Sequence, residues 1–100
     1  MSEVDPIIHQ PTRLRIMMLL SGVQSADFTL LTGALALTKG NLSSHMNQLE
    51  KAGYIEVTKA FKGKIPNTSY TITPEGLKQL EAYWRVIDDI RRLKASDYLS

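Results

Sequence analysis

Residues 35–55, LALTKGNLSSHMNQLEKAGYI, are the strongest indication of the fold, because both ends of a helix are marked within them. Thr38 supplies a side-chain oxygen that can cap the first turn, and Gly53 follows the last turn, where a left-handed residue is usual. At 100° per residue, Leu42, Met46 and Leu49 fall on one side of the segment. The pattern predicts a helix over residues 39–52 that buries this apolar side in a core.

The opposite side of the predicted helix carries small and amide side chains. Glu50 and Lys51 are its only charged residues apart from Lys39 at its start, although exposed faces usually favour charge. Asn and Gln can pair with adenine through two hydrogen bonds, and small residues allow close approach in the major groove of DNA. A merely solvated face is the alternative, and the scarcity of charge favours a contacting face. The residues expected to contact bases are Gly40, Asn41, Ser43, Ser44, Asn47 and Gln48.

Two further helices are predicted upstream of this segment. Pro11 suits the first turn of a helix, and the apolar run from Leu14 to Leu20 that follows it indicates a buried one. A second helix is expected in residues 26–37, where Gly33 predicts the close crossing of another helix. Residues 36–38 leave room only for a tight turn before the next helix, which is helix-turn-helix geometry. A short turn or helix is expected over residues 5–9.

Downstream of Gly53 the pattern changes to that of a β-hairpin followed by a last helix. Residues 54–61 and 68–72 are rich in β-formers, while Lys62-Gly63-Lys64 and Pro66-Asn67 carry turn chemistry. Thr73 and Pro74 cap and open a helix predicted to run to about Ala95.

The net charge of +2 is too small to identify a partner, but the charge is unevenly distributed. Residues 38–72 hold five lysines against Glu50 and Glu56, a net charge of +3, whereas residues 1–37 carry −1 and residues 73–100 are neutral. A solvated surface and an anionic partner explain this excess equally well. The residues expected to contact phosphates are Thr38, Lys39, His45, Lys51, Lys59, Lys62 and Lys64.

The last helix carries a wide apolar stripe that a small domain cannot fully cover. Leu77, Leu80, Trp84 and Ile87 recur at spacings of three and four. Folding back onto its own core is the alternative, but we expect a two-fold homodimer that also uses the N-terminal segment 4–8. The predicted interface residues are Ile7, Ile8, Leu80, Tyr83, Trp84, Ile87, Ile90 and Leu93.

Three stretches together resemble the winged-helix transcription regulators of the MarR and ArsR type over about residues 9–85. They are HQPTRLRIMMLL (9–20), LALTKGNLSSHMNQLEKAGYIEV (35–57) and YTITPEGLKQLE (70–81). The resemblance implies double-stranded DNA as partner, with helix 39–52 in the major groove and the hairpin, called the wing, on the backbone or minor groove through residues 59–68. It also implies that the flanking helices pair two subunits, which would read a palindromic operator.

The predicted fold is therefore mainly α with a small β-hairpin, an α+β winged helix-turn-helix with a three-helix core and a two-stranded wing. It forms one domain over residues 1–100, with residues 11–72 as the helix-turn-helix and wing and residues 73–96 as the C-terminal dimerisation helix. The wing departs from the usual pattern because lysines and a proline stand where arginine is common. No connecting domain for effectors is recognised, so any small-molecule effector would bind at the dimer interface.

Nothing in the sequence indicates an active site, a metal or a cofactor. His9 and His45 are far apart and lack acids at metal-ligand spacing, and Ser43-Ser44 beside His45 point in different directions on a helix. The absence of cysteine and of a signal peptide or membrane span favours a cytoplasmic protein. A winged-helix protein-interaction module that does not bind DNA is the main alternative, and an RNA or single-strand binder is disfavoured because the exposed faces lack an aromatic platform.

Overall fold

The computed structural model describes residues 3–99, which form an α+β domain built around a helix-turn-helix. The predicted fold class is confirmed, while the predicted domain ends at residues 1 and 100 lie outside the described part. The elements are α1 (Pro11–Ser21), β1 (Ala26–Asp27), α2 (Phe28–Leu35), α3 (Lys39–Lys51), β2 (Ile55–Lys62), β3 (Ile65–Ile72), α4 (Pro74–Arg91) and a 3₁₀ turn (Ala95–Tyr98). The strands form an antiparallel sheet in the order β1-β3-β2.

The short strand β1 is an addition to the predicted two-stranded hairpin. Ala26 pairs with Tyr70 and Asp27 with Ser69, so the sheet is tied to the start of α2. Asp27 then caps α2 by accepting a hydrogen bond from the Leu30 N–H at 2.7 Å. Two residues are too few to show the alternation that predicts a strand, so β1 has no local signal in the sequence.

The turn between α2 and α3 is as tight as predicted. Ala36 closes α2 in the left-handed conformation with a φ of 51°, and the Thr38 hydroxyl caps α3 by accepting from the Asn41 N–H at 3.1 Å. The expectation about Gly33 is wrong. Gly33 is exposed, and no atom lies within 4 Å of the position that a Cβ would take there, so no helix crosses closely at that point.

The core lies between the first three helices and the sheet, and α4 covers it from one side. Leu42, Met46 and Leu49 of α3 are buried as predicted. The core also contains Ile8, Ile16, Met17, Leu20, Ala26, Leu31, Ile55, Tyr70, Ile72, Leu80 and Tyr83. Burial of this cluster fixes the rotation of α3, because the helix has one apolar side and that side is fully used.

The hairpin of β2 and β3, the wing, is longer than predicted, and it turns at the first of the two predicted turn segments, Lys62-Gly63-Lys64. Lys62 pairs with Ile65, so the connection is the two-residue loop Gly63-Lys64, with Gly63 at a positive φ of 65°. The turn predicted at Pro66-Asn67 is wrong, since both residues belong to β3. Proline is tolerated there because β1 pairs only near Tyr70, which leaves β3 without a second neighbour at Pro66.

The last helix, α4, begins at the predicted cap and ends earlier than predicted. Thr73 accepts from the Gly76 N–H at 2.9 Å and donates to the Gly53 carbonyl at 2.7 Å. The helix ends at Arg91, and residues 91–99 are all exposed. A helix gains most of its stability from tertiary packing, which explains why α4 stops where its packing ends.

Candidate nucleic-acid interface

One face of α3 is open to solvent and carries the side chains predicted to contact bases. Gly40, Asn41, Ser43, Ser44, Asn47 and Gln48 are all exposed. They lie opposite the buried Leu42, Met46 and Leu49, so the packing of α3 presents them outward as one surface. This arrangement has the composition and the shape of a helix that can enter a major groove.

The side chains predicted to contact phosphates surround this face. Thr38 and Lys39 lie at the start of α3 and Lys51 at its end, and all three are exposed. Lys59, Lys62 and Lys64 are exposed along the wing. In the described part of the chain the salt bridge present is that between Arg91 and Asp88, so no acid neutralises these lysines and their positive charge is available to an anionic partner.

His45 differs from the other predicted phosphate contacts because it is half-buried and already hydrogen-bonded. Its Nδ1 lies 3.2 Å from Nη1 of Arg13, and a guanidinium can only donate, so Nδ1 is the acceptor. Burial, and then the positive charge of Arg13, lower the pKa of His45. The neutral imidazole is therefore favoured at neutral pH, and because Nδ1 accepts from Arg13, its proton lies on Nε2.

Arg13 is a functional candidate that the sequence reasoning missed. Its side chain is only 9% exposed, and its Nε donates to the Ile7 carbonyl at 2.6 Å while Nη2 donates to the Pro6 carbonyl at 3.4 Å. It thus joins the N-terminal turn to His45 on α3. The only signal in the sequence is a cation immediately before the apolar run of α1, and this signal does not identify its hydrogen-bond partners.

A groove separates α3 from the wing and opens toward the same side of the molecule. Its volume is about 730 Å³, and its walls come from α2, α3, β2 and β3. Burial, and then the charge of Glu50, raise the pKa of the Tyr70 phenol, which stays protonated in the wall of the groove. The groove is lined by Phe28, Ser43, Met46, Asn47, Glu50, Val57, Lys59, Thr68 and Tyr70.

The residues predicted to form a dimer interface fall into two groups. Ile8, Leu80 and Tyr83 are buried in the core of the chain itself, so their assignment to an interface is corrected. Ile7 and Ile87 are half-buried. Trp84, Ile90 and Leu93 are exposed by 38%, 44% and 48%. The reason is that the N-terminal turn packs against the side of α4 that the sequence predicts to contact a second subunit.

The N-terminal turn predicted over residues 5–9 is held against the domain by side chains. His9 Nδ1 and the Tyr83 hydroxyl are hydrogen-bonded at 3.0 Å, and the Tyr54 hydroxyl donates to Asp5. Burial, followed by this hydrogen bond, raises the pKa of Tyr54. These contacts fix the turn between α4 and the start of the wing.

Residues 3–99 contain neither a candidate metal site nor a helix that could span a membrane. No group of three or more His, Asp or Glu side chains there is arranged to hold a metal ion. None of the helices described is long and apolar enough to cross a membrane.

The fold and this surface define a class of DNA-binding proteins, and comparison with known proteins gives the family. The chain belongs to the winged helix DNA-binding domain family, which it matches over residues 12–90. The resemblance to regulators of the MarR and ArsR type is thereby confirmed for family and fold.

Two relatives and one further solved structure are similar to this chain. An uncharacterized protein of Methanocaldococcus jannaschii is 35% identical over 78 residues, which cover 77% of this chain and 84% of that protein. The structure of a transcriptional regulator homologue from Pyrococcus horikoshii is 31% identical with a TM-score of 0.76, covering 87% of this chain and 89% of that one. A regulator of the MarR family from Enterococcus faecalis shares the fold, with a TM-score of 0.72 and 24% identity over 82% of this chain and 74% of that one.

Proposed function

We propose that this chain binds double-stranded DNA of defined sequence as a homodimer and regulates transcription. The observation that carries the proposal is the exposed face of α3, rich in amide and hydroxyl groups, flanked on both sides by lysines that no acid neutralises. In this arrangement α3 lies in the major groove and the wing lies on the backbone or minor groove. Side chains of α3 supply sequence preference, while the lysines supply salt-dependent affinity.

The proposed interface between subunits uses the apolar side chains that the domain leaves exposed. Trp84 donates to Met18 Sδ at 3.4 Å, and this pair joins α4 to α1 at the surface. Ile90 and Leu93 continue the apolar surface past the point where the core ends. A large apolar area of this kind on a small domain favours a second copy of the chain as its partner.

A two-fold dimer gives the two copies of α3 a defined spacing. Successive major grooves on one side of DNA are about 34 Å apart, so a dimer would read a palindromic site. Any small-molecule effector would bind near this interface, where a groove of about 440 Å³ lies between the N-terminal turn and α4.

The test is selection of duplexes from a random library by the purified protein at several salt concentrations, together with its mass in solution. A dimer that enriches a palindrome and weakens steeply with salt is the expected result. Replacement of Lys51, Lys62 and Lys64 by Gln should lower affinity for all sequences. The matched control replaces Lys78, Arg85 and Lys94 of the last helix and its end by Gln, which removes the same charge from exposed positions away from α3 and the wing, and its mass in solution should equal that of wild type.

Two results would contradict the proposal. Absence of duplex binding at low salt would favour the protein-interaction module, whose partner would tolerate loss of the three lysines. Equal losses in the two triple variants would mean that only total charge matters, and that the surface of α3 and the wing has no special part.

A further inference from the structure

The tip of the wing carries two large apolar side chains that the fold leaves unexplained. Phe61 is 72% exposed and Ile65 is 70% exposed, and within the described residues only Tyr98 and Leu99, close to the C-terminal end, expose larger fractions among the large apolar side chains. Neither contributes to the core, and leaving an aromatic ring in water costs free energy. A partner that accepts these side chains would account for their position.

The register of the hairpin places Phe61 on the side of the wing that faces α3. Side chains alternate between the two sides of a strand, so Phe61 lies on the same side as Val57 and Lys59, which line the groove beside α3. Its cross-strand partner on this side is Pro66. Ile65 pairs with Lys62 and lies on the other side.

The charge around these side chains favours a polyanion. Residues 58–68 contain three lysines and no acid, and all three lysines are exposed. A polyanion that also offers an apolar interior is duplex DNA, whose stacked bases lie between two lines of phosphates. Phe61 lies four residues beyond Val57, about 13 Å along the strand, and this extension reaches in the direction of the minor groove, which lies half a turn, about 17 Å, from the centre of the adjacent major groove.

We propose that Phe61, backed by Pro66, enters the minor groove next to the major groove occupied by α3 and wedges partly between two base pairs. The minor groove is only about 6 Å wide, too narrow for a two-stranded ribbon with its side chains, so side chains at the tip are the parts that enter. The lysines hold the phosphates on either side, and Ile65 packs against the sugars. Apolar wedges of this kind unstack a base step and bend the duplex by about 20–90°.

This inference rests on the proposed function, and the experiment separates the two. Duplexes carrying the selected site receive 2-aminopurine at single positions, whose emission rises on unstacking, and fluorophores at both ends, whose energy transfer reports bending. Wild-type protein should unstack one symmetric pair of base steps and bend the site. The F61A variant should lose both signals and bind about tenfold more weakly, while it keeps the preferences set by α3.

The control is V23A, which removes an exposed apolar side chain between α1 and β1, away from the wing. It should bind and distort the duplex as wild type does, and unfolding curves should show that both variants are folded. Duplex binding without unstacking, or F61A behaving as V23A does, would overturn the wedge and leave the proposed function intact. No duplex binding by wild type would overturn both.

A parallel measurement uses vesicles of phosphatidylserine and phosphatidylcholine, because lysines around apolar side chains also suit an anionic membrane surface. Weak binding that F61A does not change is expected. Vesicle binding that depends on Phe61, with DNA affinity that does not, would assign the tip to a membrane and overturn the wedge.

Discussion

Gly76 and Gly33 both lie in helices, yet their surroundings differ completely. A Cβ at Gly76 would lie 2.3 Å from the Tyr54 carbonyl oxygen and 3.0 Å from Ile72 Cγ1. Gly76 is buried, and its lack of a side chain lets α4 approach Tyr54, the residue just before the wing. Gly33 has open space around it.

The two glycines are therefore predicted to respond in opposite directions to alanine. G76A should lower the free energy of unfolding by about 1–3 kcal/mol, because the backbone must move to relieve the overlap. G33A should raise it by up to about 1 kcal/mol, because alanine is the better helix former and nothing obstructs it. Urea unfolding measures both, and equal effects of the two changes would contradict this account.

His45 makes the stability of the fold sensitive to mild acid. Burial and the charge of Arg13 lower the pKa of His45 from the ordinary value of 6.5. Below pH 6.5 the unfolded chain therefore binds a proton at His45 more readily than the folded chain does. Stability then falls as pH drops from about 7 toward the folded pKa, with a limiting slope of about 1.4 kcal/mol per pH unit for one proton.

The H45N variant tests this coupling, because an amide oxygen can accept from Arg13 without titrating. Urea unfolding at pH 7.5, 6.5 and 5.5 should show a smaller loss of stability for H45N than for wild type. Parallel profiles for the two proteins would exclude His45 as the source of the acid sensitivity.

Among the elements, α3 and the wing expose different kinds of side chain and are therefore expected to make different contacts with DNA. The exposed side chains in the middle of α3, residues 41–48, are short or carry amides, and those at the tip of the wing, residues 59–65, are lysines and apolar groups. Thr73 fixes α4 relative to both, because its hydroxyl contacts Gly53 at the end of α3 and Gly76 in α4. These short-range contacts help to fix the position of the wing relative to α3.

This division predicts different effects for two single changes. N47A should relax the sequence preference at one symmetric pair of positions by about 1–3 kcal/mol. K62Q should weaken binding to all sequences. It should also reduce the slope of log K against log salt concentration by about one per subunit. Binding curves on the selected site and its single-base variants, at three salt concentrations, distinguish them. Q24A, in an exposed loop, is the control and should match wild type.

The whole molecule is elongated. Its extents are 69 × 25 × 21 Å and its radius of gyration is 16.5 Å, against about 13 Å for a compact domain of 100 residues. The end of α4 extends beyond the core and carries the exposed Ile90 and Leu93. A shape of this kind leaves apolar surface that one chain cannot cover.

The proposed dimer predicts that I90E separates the subunits. The variant should have the mass of one chain, 11.2 kDa, and should bind the full palindrome about 10²-fold more weakly, because the second half-site no longer adds to the first. Q24E places the same charge on an exposed loop and should remain a dimer. A monomeric wild-type protein, or a dimeric I90E, would contradict the proposed interface. Analytical ultracentrifugation gives the mass.

Elements whose signals are local could be predicted from the amino-acid sequence. The cap at Thr38, the apolar side of α3 and the period change after Gly53 predicted the helix-turn-helix and the hairpin that follows it, and the structure confirms them. The exposed positions of α3 were also predicted, because a helix with one apolar side has its opposite side fixed by geometry.

The surfaces that pack together could not be predicted in this way, and they are known from the folded structure. Ile8, Leu80 and Tyr83 have the pattern of an interface but are covered by their own chain, and Arg13 finds acceptors on the N-terminal turn and on α3 that lie apart from it in sequence. Strand β1 exists because β3 offers it an edge. Local patterns show that a side chain will be buried, but the residues that bury it come from distant parts of the chain, and the packing of the whole fold selects them.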